Sequence, residues 1–295
     1  MHQVHTIGCS FTKWIYPTWA DYIQKHYDVE LNNLGSSASG NSIIKKKLYT
    51  IDESDHVFVM FSGHNRQVQG IDDAYIRDNL GHSEKTTNIL NDIRSDTRSW
   101  FRNLAPMSAF IHRDSLTKQQ TSNFHNYCTM LEDIYDCQNY LLAKGINYNF
   151  AMWQGFYNDL SELRGLQQKI LDDNKYMKNP IYRKIYHSIN HEKFMQPINK
   201  GLWEHMVNRK DLVAVQSRHD LHPSTLCHFD YFKTYIKPIL DGKIPNKGNI
   251  NQLYEQSKKF SEYYQDHSNS VRIEEYTFQH RARYFEIFDN INIHT

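Results

Sequence analysis

Five consecutive apolar residues, Val57-Phe58-Val59-Met60-Phe61, constrain the fold of this chain more than any other feature. A strand with one wet face alternates apolar and polar residues. A run without alternation must be covered on both sides, the situation of a central strand in a parallel α/β sheet. The run predicts such a strand over residues 55–62. Residues 3–10 read as a short buried strand entering a turn, and 29–34 as a second strand closed by Gly35. Between them, 17–27 reads as a helix with Pro17 in its first turn and Trp19, Ile23 and Tyr27 on its inner face. Asn41 is placed to cap a helix reaching about residue 49. Phe124, Tyr127, Leu131, Ile134, Tyr135 and Leu142 recur every three to four residues, which predicts an amphipathic helix over 124–144 that Gly145 stops. A fourth strand over 146–153 completes a strand–helix–strand crossover. A short fifth strand over 212–215 and a last helix over 229–240 finish the predicted core.

Two segments do not fit this alternation. Residues 66–122 are polar without a clear period and too long for a simple connection, so they are expected to be an insertion over the crevice at the strand ends. Residues 156–210, mostly helical in composition, form a second insertion. The expected organisation is one α/β domain over 1–240 followed by a helical or partly extended tail over 241–295, rich in Tyr and charge.

Bulk properties exclude several functions. The 34 basic and 33 acidic residues leave a formal charge of +1, which gives no electrostatic case for nucleic acid or an anionic membrane. Lys45-Lys46-Lys47, the single basic run, is expected to form the solvated face of a short helix. Mean hydropathy is −0.72, and no stretch approaches the ~20 apolar residues that span a bilayer. The four cysteines show no CxxC pairing and no charged-then-apolar leader opens the chain, so a reducing, cytoplasmic location is expected. Aromatic residues make up 14% of the sequence. An aromatic-rich core and surface is the expectation, with a wide substrate cleft as the alternative.

Four short blocks then fall at the ends of predicted strands. They are Gly8-Cys9-Ser10-Phe11-Thr12, the turn at Gly35, Gly63-His64-Asn65, and Asp220-Leu221-His222-Pro223. In an open α/β sheet such ends share one crevice. Together the blocks supply a hydroxyl, oxyanion donors and an imidazole with a carboxylate, the parts that ester cleavage through a covalent intermediate requires. Each block has a blander reading. Ser10 could cap a helix, and Gly35 and Gly63-His64-Asn65 could simply turn the chain.

The ordered set resembles the SGNH hydrolases, the GDSL-like lipase/esterase superfamily, over roughly residues 2–65, 124–155 and 212–240. The resemblance implies a flavodoxin-like three-layer α/β/α fold with a central parallel sheet. It implies Ser10 as nucleophile, His222 as base and Asp220 as the residue that orients it. The oxyanion hole would be the backbone N–H groups of Ser10 and Gly35 and the Asn65 side-chain amide. It further implies an ester substrate, an acyl or acetyl group on a carbohydrate or a small lipid-like ester, and no metal or organic cofactor. The aspartate stands two residues before the histidine rather than the family's three, with His219 in the usual place, so Asp230 is an alternative orienter. Because His222 must be neutral to accept a proton, activity is expected to rise with pH.

His64 and Arg66, beside Asn65, are candidate substrate-binding residues, and Arg66 suits a carboxylate or sulfate. His219, Asp220, His222, Cys227 and His228 include good zinc ligand types but match no strong zinc spacing. Cys9 reads as a small buried residue under the turn rather than a nucleophile. A second function class also remains. The Gly-Cys-Ser-Phe-Thr start resembles that of phage proteins in which hydrolase-like domains serve in particles or in glycan modification. The alternative is therefore a catalytically silent, virion-associated binding or structural module on the same fold.

Overall fold

The structure is a computed structural model. It describes residues 3–36, 39–63, 123–155, 158–159, 169–170, 178–208, 222–268 and 281–291. Its centre is a four-stranded sheet of β1 (Gln3–Ile7), β2 (Glu30–Asn33), β3 (His56–Phe61) and β4 (Tyr148–Met152). The order is β2-β1-β3-β4 and every pairing is parallel, the order in which flavodoxin-like sheets begin. All six residues of β3 are buried. Successive strand side chains point to opposite faces, so Phe58 and Met60 enter one apolar cluster and Val57, Val59 and Phe61 the other. This is the α/β arrangement with two covered faces that the 57–61 run requires.

One face is covered by α2 (Asn41–Leu48) and α3 (Asn123–Ala143). Along α3, Tyr127, Leu131, Ile134 and Leu141 are fully buried, whereas Leu142 is 59% exposed. The helical period places residue 141, seven after Ile134, on the inner face, one position before the leucine expected there. A helix of nine residues, α4 (Pro180–Ser188), packs on α3, and Gln138 Nε2 donates to the Ser188 carbonyl at 3.0 Å. Asn158–Asp159 and Lys169–Ile170 form a two-residue antiparallel pair.

The other face is covered by α1 (Trp19–His26), by α6 (Thr225–Tyr231) with the short α5 (Leu202–Asn208) beside it, and by two C-terminal helices, α7 (Ile250–Ser268) and α8 (Arg281–Asn290). Phe260, Tyr264, Tyr284 and Phe288 from the C-terminal pair share a cluster with Trp14, Tyr16, Tyr22 and Phe58.

Several element boundaries differ from the sequence expectations. The cap of α1 is Thr18, so Pro17 lies just outside the helix, and Gly40 rather than Asn41 caps α2. Asn41 instead cross-links to the end of β3: Ser62 N donates to its Oδ1 at 2.7 Å and its Nδ2 donates to the Ser62 carbonyl at 3.1 Å. The last core helix starts earlier than residue 229, because the Ser224 hydroxyl accepts from Cys227 N at 3.0 Å and caps α6. It runs through one π turn, Phe232–Ile236, into Lys237–Leu240. The wide turn accommodates Pro238, which has no N–H to donate and whose ring would crowd the carbonyl four residues back. Lys45-Lys46-Lys47 is not one solvated face. Lys45 pairs with Asp133 and Asp136 at 2.6 and 2.9 Å, Lys46 is exposed, and Lys47 turns inward. The segments 66–122 and 212–215 lie outside the described residues, as does most of 156–177.

Candidate functional site

The chain leaving β1 makes a tight turn at Gly8–Lys13, where Thr12 N and Lys13 N both donate to the Cys9 carbonyl, at 2.9 and 3.2 Å. Ser10 sits on this turn with 4% of its surface exposed, and Cys9 beneath it is fully buried. The end of β2 is drawn against the same turn. Leu34 N donates to Thr6 O at 2.8 Å, and Ser36 N to Gly8 O at 3.1 Å. Gly35 is needed for this approach, since a Cβ there would lie 2.8 Å from Lys13 Cβ. No other residue lets two backbones meet so closely. The Gly35 N–H donates to Asn33 Oδ1 at 3.0 Å, and Asn33 Nδ2 donates to the Thr12 carbonyl at 3.0 Å. One amide side chain therefore ties the two turns together.

His222 arrives at the same place from the far end of the sequence. Its ring stacks on Trp14 at a centroid distance of 3.9 Å and lies 5.2 Å from Phe11, which in turn lies 4.7 Å from Trp153. The imidazole is 2% exposed. Hydroxyl-to-carbonyl bonds fix the segment that carries it: Tyr16 donates to Pro223 O at 3.3 Å and Tyr22 to Thr225 O at 3.2 Å. Ser257 Oγ lies 2.6 Å from the Tyr22 hydroxyl, and Leu226 N donates to Ser261 Oγ at 3.0 Å, so α7 braces the start of α6. His228, one turn into α6, is fully buried, and neither of its ring nitrogens has a hydrogen-bond partner among the described residues. Burial, then the charge of His222, pushes its pKa down to about 3, so it stays neutral wherever the protein is folded at ordinary pH.

The structure thus brings Ser10, Gly35 and His222 to one end of the sheet. His64, Asn65, Arg66 and Asp220 lie outside the described residues. Asp230, the alternative orienter, is engaged elsewhere: its Oδ2 is 2.8 Å from Nε2 of His205 on α5. Among the described residues no group of three or more His, Cys, Asp or Glu side chains is arranged to hold a metal ion, and no helix is long and apolar enough to cross a membrane.

Three cations near the Gly35 turn were not legible as site residues. Lys13 donates to Asn33 O at 3.1 Å, and burial, followed by the charge of Arg281, lowers its pKa. Lys47 donates to Leu34 O at 2.8 Å and Ser36 Oγ at 2.6 Å, and burial, followed by the charge of Lys13, lowers its pKa. Arg281 reaches in from α8 to the Trp14 carbonyl and to Asp21, the latter at 2.7 Å. None belongs to a motif, and each is defined by a partner distant in sequence.

No family model matches the sequence, and no curated protein matches it. Among solved structures, a lipase/acylhydrolase from Enterococcus faecalis is similar at 12% identity, over 84% of this chain and 100% of that one, with a TM-score of 0.41. A catalytic mutant of Axe2, an acetylxylan esterase from Geobacillus stearothermophilus, is similar at 14% identity over 81% of this chain and 94% of that one, with a TM-score of 0.38.

Proposed function

We propose that this chain hydrolyses a carboxylic ester through an acyl-serine intermediate, in the manner of the SGNH hydrolases. The observation that carries the reading is the seating of His222. Its ring lies on Trp14 and against Phe11, the side chains of the turn that presents Ser10, although Tyr16 and Pro223, which join the two segments, are 207 positions apart.

In this reading His222 takes the Ser10 proton as Oγ bonds to the ester carbonyl carbon. The tetrahedral oxyanion is held by the N–H groups of Ser10 and Gly35 and by the Asn65 amide. It collapses, the C–O bond to the alcohol breaks, and His222 returns the proton to the leaving oxygen. Water then attacks the acyl-serine, giving its proton to His222, and releases the carboxylic acid with Ser10 restored. Asp220 bonds the other ring nitrogen and fixes the tautomer. Gly35 N–H, bonded at rest to Asn33 Oδ1, exchanges that acceptor for the oxyanion. No metal or organic cofactor takes part. The proposed substrate is an acyl or acetyl ester, a carbohydrate ester first, with His64 and Arg66 contacting it. A cytoplasmic location is proposed with it.

Fluorophosphonate labelling followed by mapping of the modified residue tests the assignment. The expected result is phosphonylation of Ser10, with loss of label and of activated acetyl-ester turnover in Ser10→Ala while the fold is retained. Two observations favour a second reading, a catalytically silent binding module: Ser10 is nearly covered and the Gly35 N–H is already engaged. Absence of label on folded protein would decide for the module.

A further inference from the structure

We infer that Arg281, in the C-terminal region, is a positioning residue for His222: its guanidinium holds the Trp14 carbonyl and the Asp21 carboxylate, fixing the ring on which the imidazole lies. The role in turnover rests on the hydrolase reading; the role in seating the imidazole does not.

Arg281 is the first residue of α8, and its side chain is 20% exposed. Nη1 donates to the carbonyl of Trp14 and Nη2 donates to Asp21 Oδ1 at 2.7 Å, while the guanidinium carbon lies 4.3 Å from the centre of the Phe285 ring. A planar fork reaches two acceptors in fixed relation and stacks on an aromatic face, which a lysine cannot do. The other oxygen of Asp21 accepts from Thr18 N at 2.9 Å and lies 3.0 Å from Thr18 Oγ1. Thr18 Oγ1 donates to Thr12 O at 2.6 Å, the carbonyl that also accepts from Asn33 Nδ2 at 3.0 Å. Asn33 Oδ1 accepts from Gly35 N. An unbroken series of polar contacts therefore runs from the guanidinium through the loop between β1 and α1 to Gly35. Within that loop, Trp14 is held by its backbone at Arg281 and offers its indole face to His222 at 3.9 Å.

The position of His222 can be read without any substrate. A proton facing an indole is shifted upfield by the ring current, so the Cε1–H signal of His222 in protein with 13C-labelled histidine rings reports the stack, assigned by its loss in His222→Gln. Ser10 phosphonylation rate is the second readout. In Arg281→Met the His222 signal is expected to move toward the free-imidazole position and phosphonylation to slow about ten- to a hundredfold, the range for misplacement of a reacting group. Arg281→Lys should fall between wild type and Arg281→Met, and it carries the test if Arg281→Met does not fold. Phe288→Leu, which loosens the same helix and leaves the guanidinium contacts in place, should lower Tm with both readouts within about twofold of wild type, a difference under half of the 1.4 kcal/mol that a tenfold change represents. An unmoved His222 signal in the folded Arg281 variants overturns the inference. So does an equal effect of Phe288→Leu on both readouts. If wild-type Ser10 takes no label, the hydrolase reading fails alone and the His222 signal still decides the role of Arg281.

Discussion

The two faces of the sheet are built differently. Under α2 and α3 the cover is apolar packing from helices that each lead directly into a strand of the sheet, supplemented at the rim by ion pairs such as Lys45 with Asp133 and Asp136. On the other face α1 is joined by helices from the last fifty residues, and tyrosine and serine hydroxyls bond backbone groups around His222. The first face supports the sheet; the second also sets the relative position of two segments from opposite ends of the chain. Apolar contact is tolerant of small shifts, whereas a hydrogen bond fixes distance and direction, so the polar bracing is found where placement matters.

Cavities offer the largest test of this contrast. Phe260→Ala on the braced face and Leu131→Ala on the other should each cost about 3–5 kcal/mol, measured as a drop in urea midpoint. Phe260→Ala should also slow Ser10 labelling of the folded fraction, and Leu131→Ala should not; equal labelling in both erases the distinction.

Acid comes next. His228 on the braced face and His56 on β3 are held neutral by burial, with pKa values pushed from 6.5 to about 3 and about 4. The unfolded chain binds these protons first, so the stability they protect is complete above pH 6.5 and falls as pH drops toward those values, by about 1.4 kcal/mol per pH unit for each imidazole. His228→Leu should flatten the decline of urea midpoint between about pH 6.5 and 4; an unchanged slope would show that His228 does not stay neutral.

Single hydroxyls give a smaller effect. Tyr22→Phe removes the group that bonds Thr225 O and contacts Ser257 Oγ inside the core, whereas Tyr140→Phe removes a donor to Ile51 O at 2.9 Å nearer the surface. The first should cost about 1–2 kcal/mol and the second about 0.5–1 kcal/mol by chemical denaturation. The reverse order would mean that the bracing is not where the stability lies. Lys144→Ala, which breaks the exposed pair with Asp52, should leave Tm and Ser10 labelling unchanged, because solvent screens such pairs.

What the sequence made legible follows from the range of the forces involved. The 57–61 run announced a strand covered on both faces because burial of each residue is written into its own side chain. The Ser10 turn and the Gly35 turn could be placed because strand ends are marked by short-range chemistry. Asn41 was misplaced as a cap because its actual partner is the backbone of Ser62, and a local rule does not register a cross-link between elements. The start of α6 falls before residue 229 because Ser224, an ordinary capping residue, already accepts from Cys227 N, so the stretch that reads as a turn is the first turn of the helix. Lys47 looked solvated as one of three lysines, and only the fold brings Leu34 O to its amine. Arg281 carried no signal at all: nothing near it in sequence foretells Trp14 or Asp21.

The dependence of Trp14 on Arg281 also imposes an order on biogenesis. Ribosomes make this protein from the Ser10 end, so the seat of the imidazole stays unfinished until α8 has followed α7 out. During that interval Trp14, Tyr16 and Tyr22 lack their final cover, leaving an adhesive aromatic surface of the kind that chaperones recognise on slow-folding chains of high contact order. A nascent chain stopped after α6 would hold Ser10 and His222 and still lack the clasp between them.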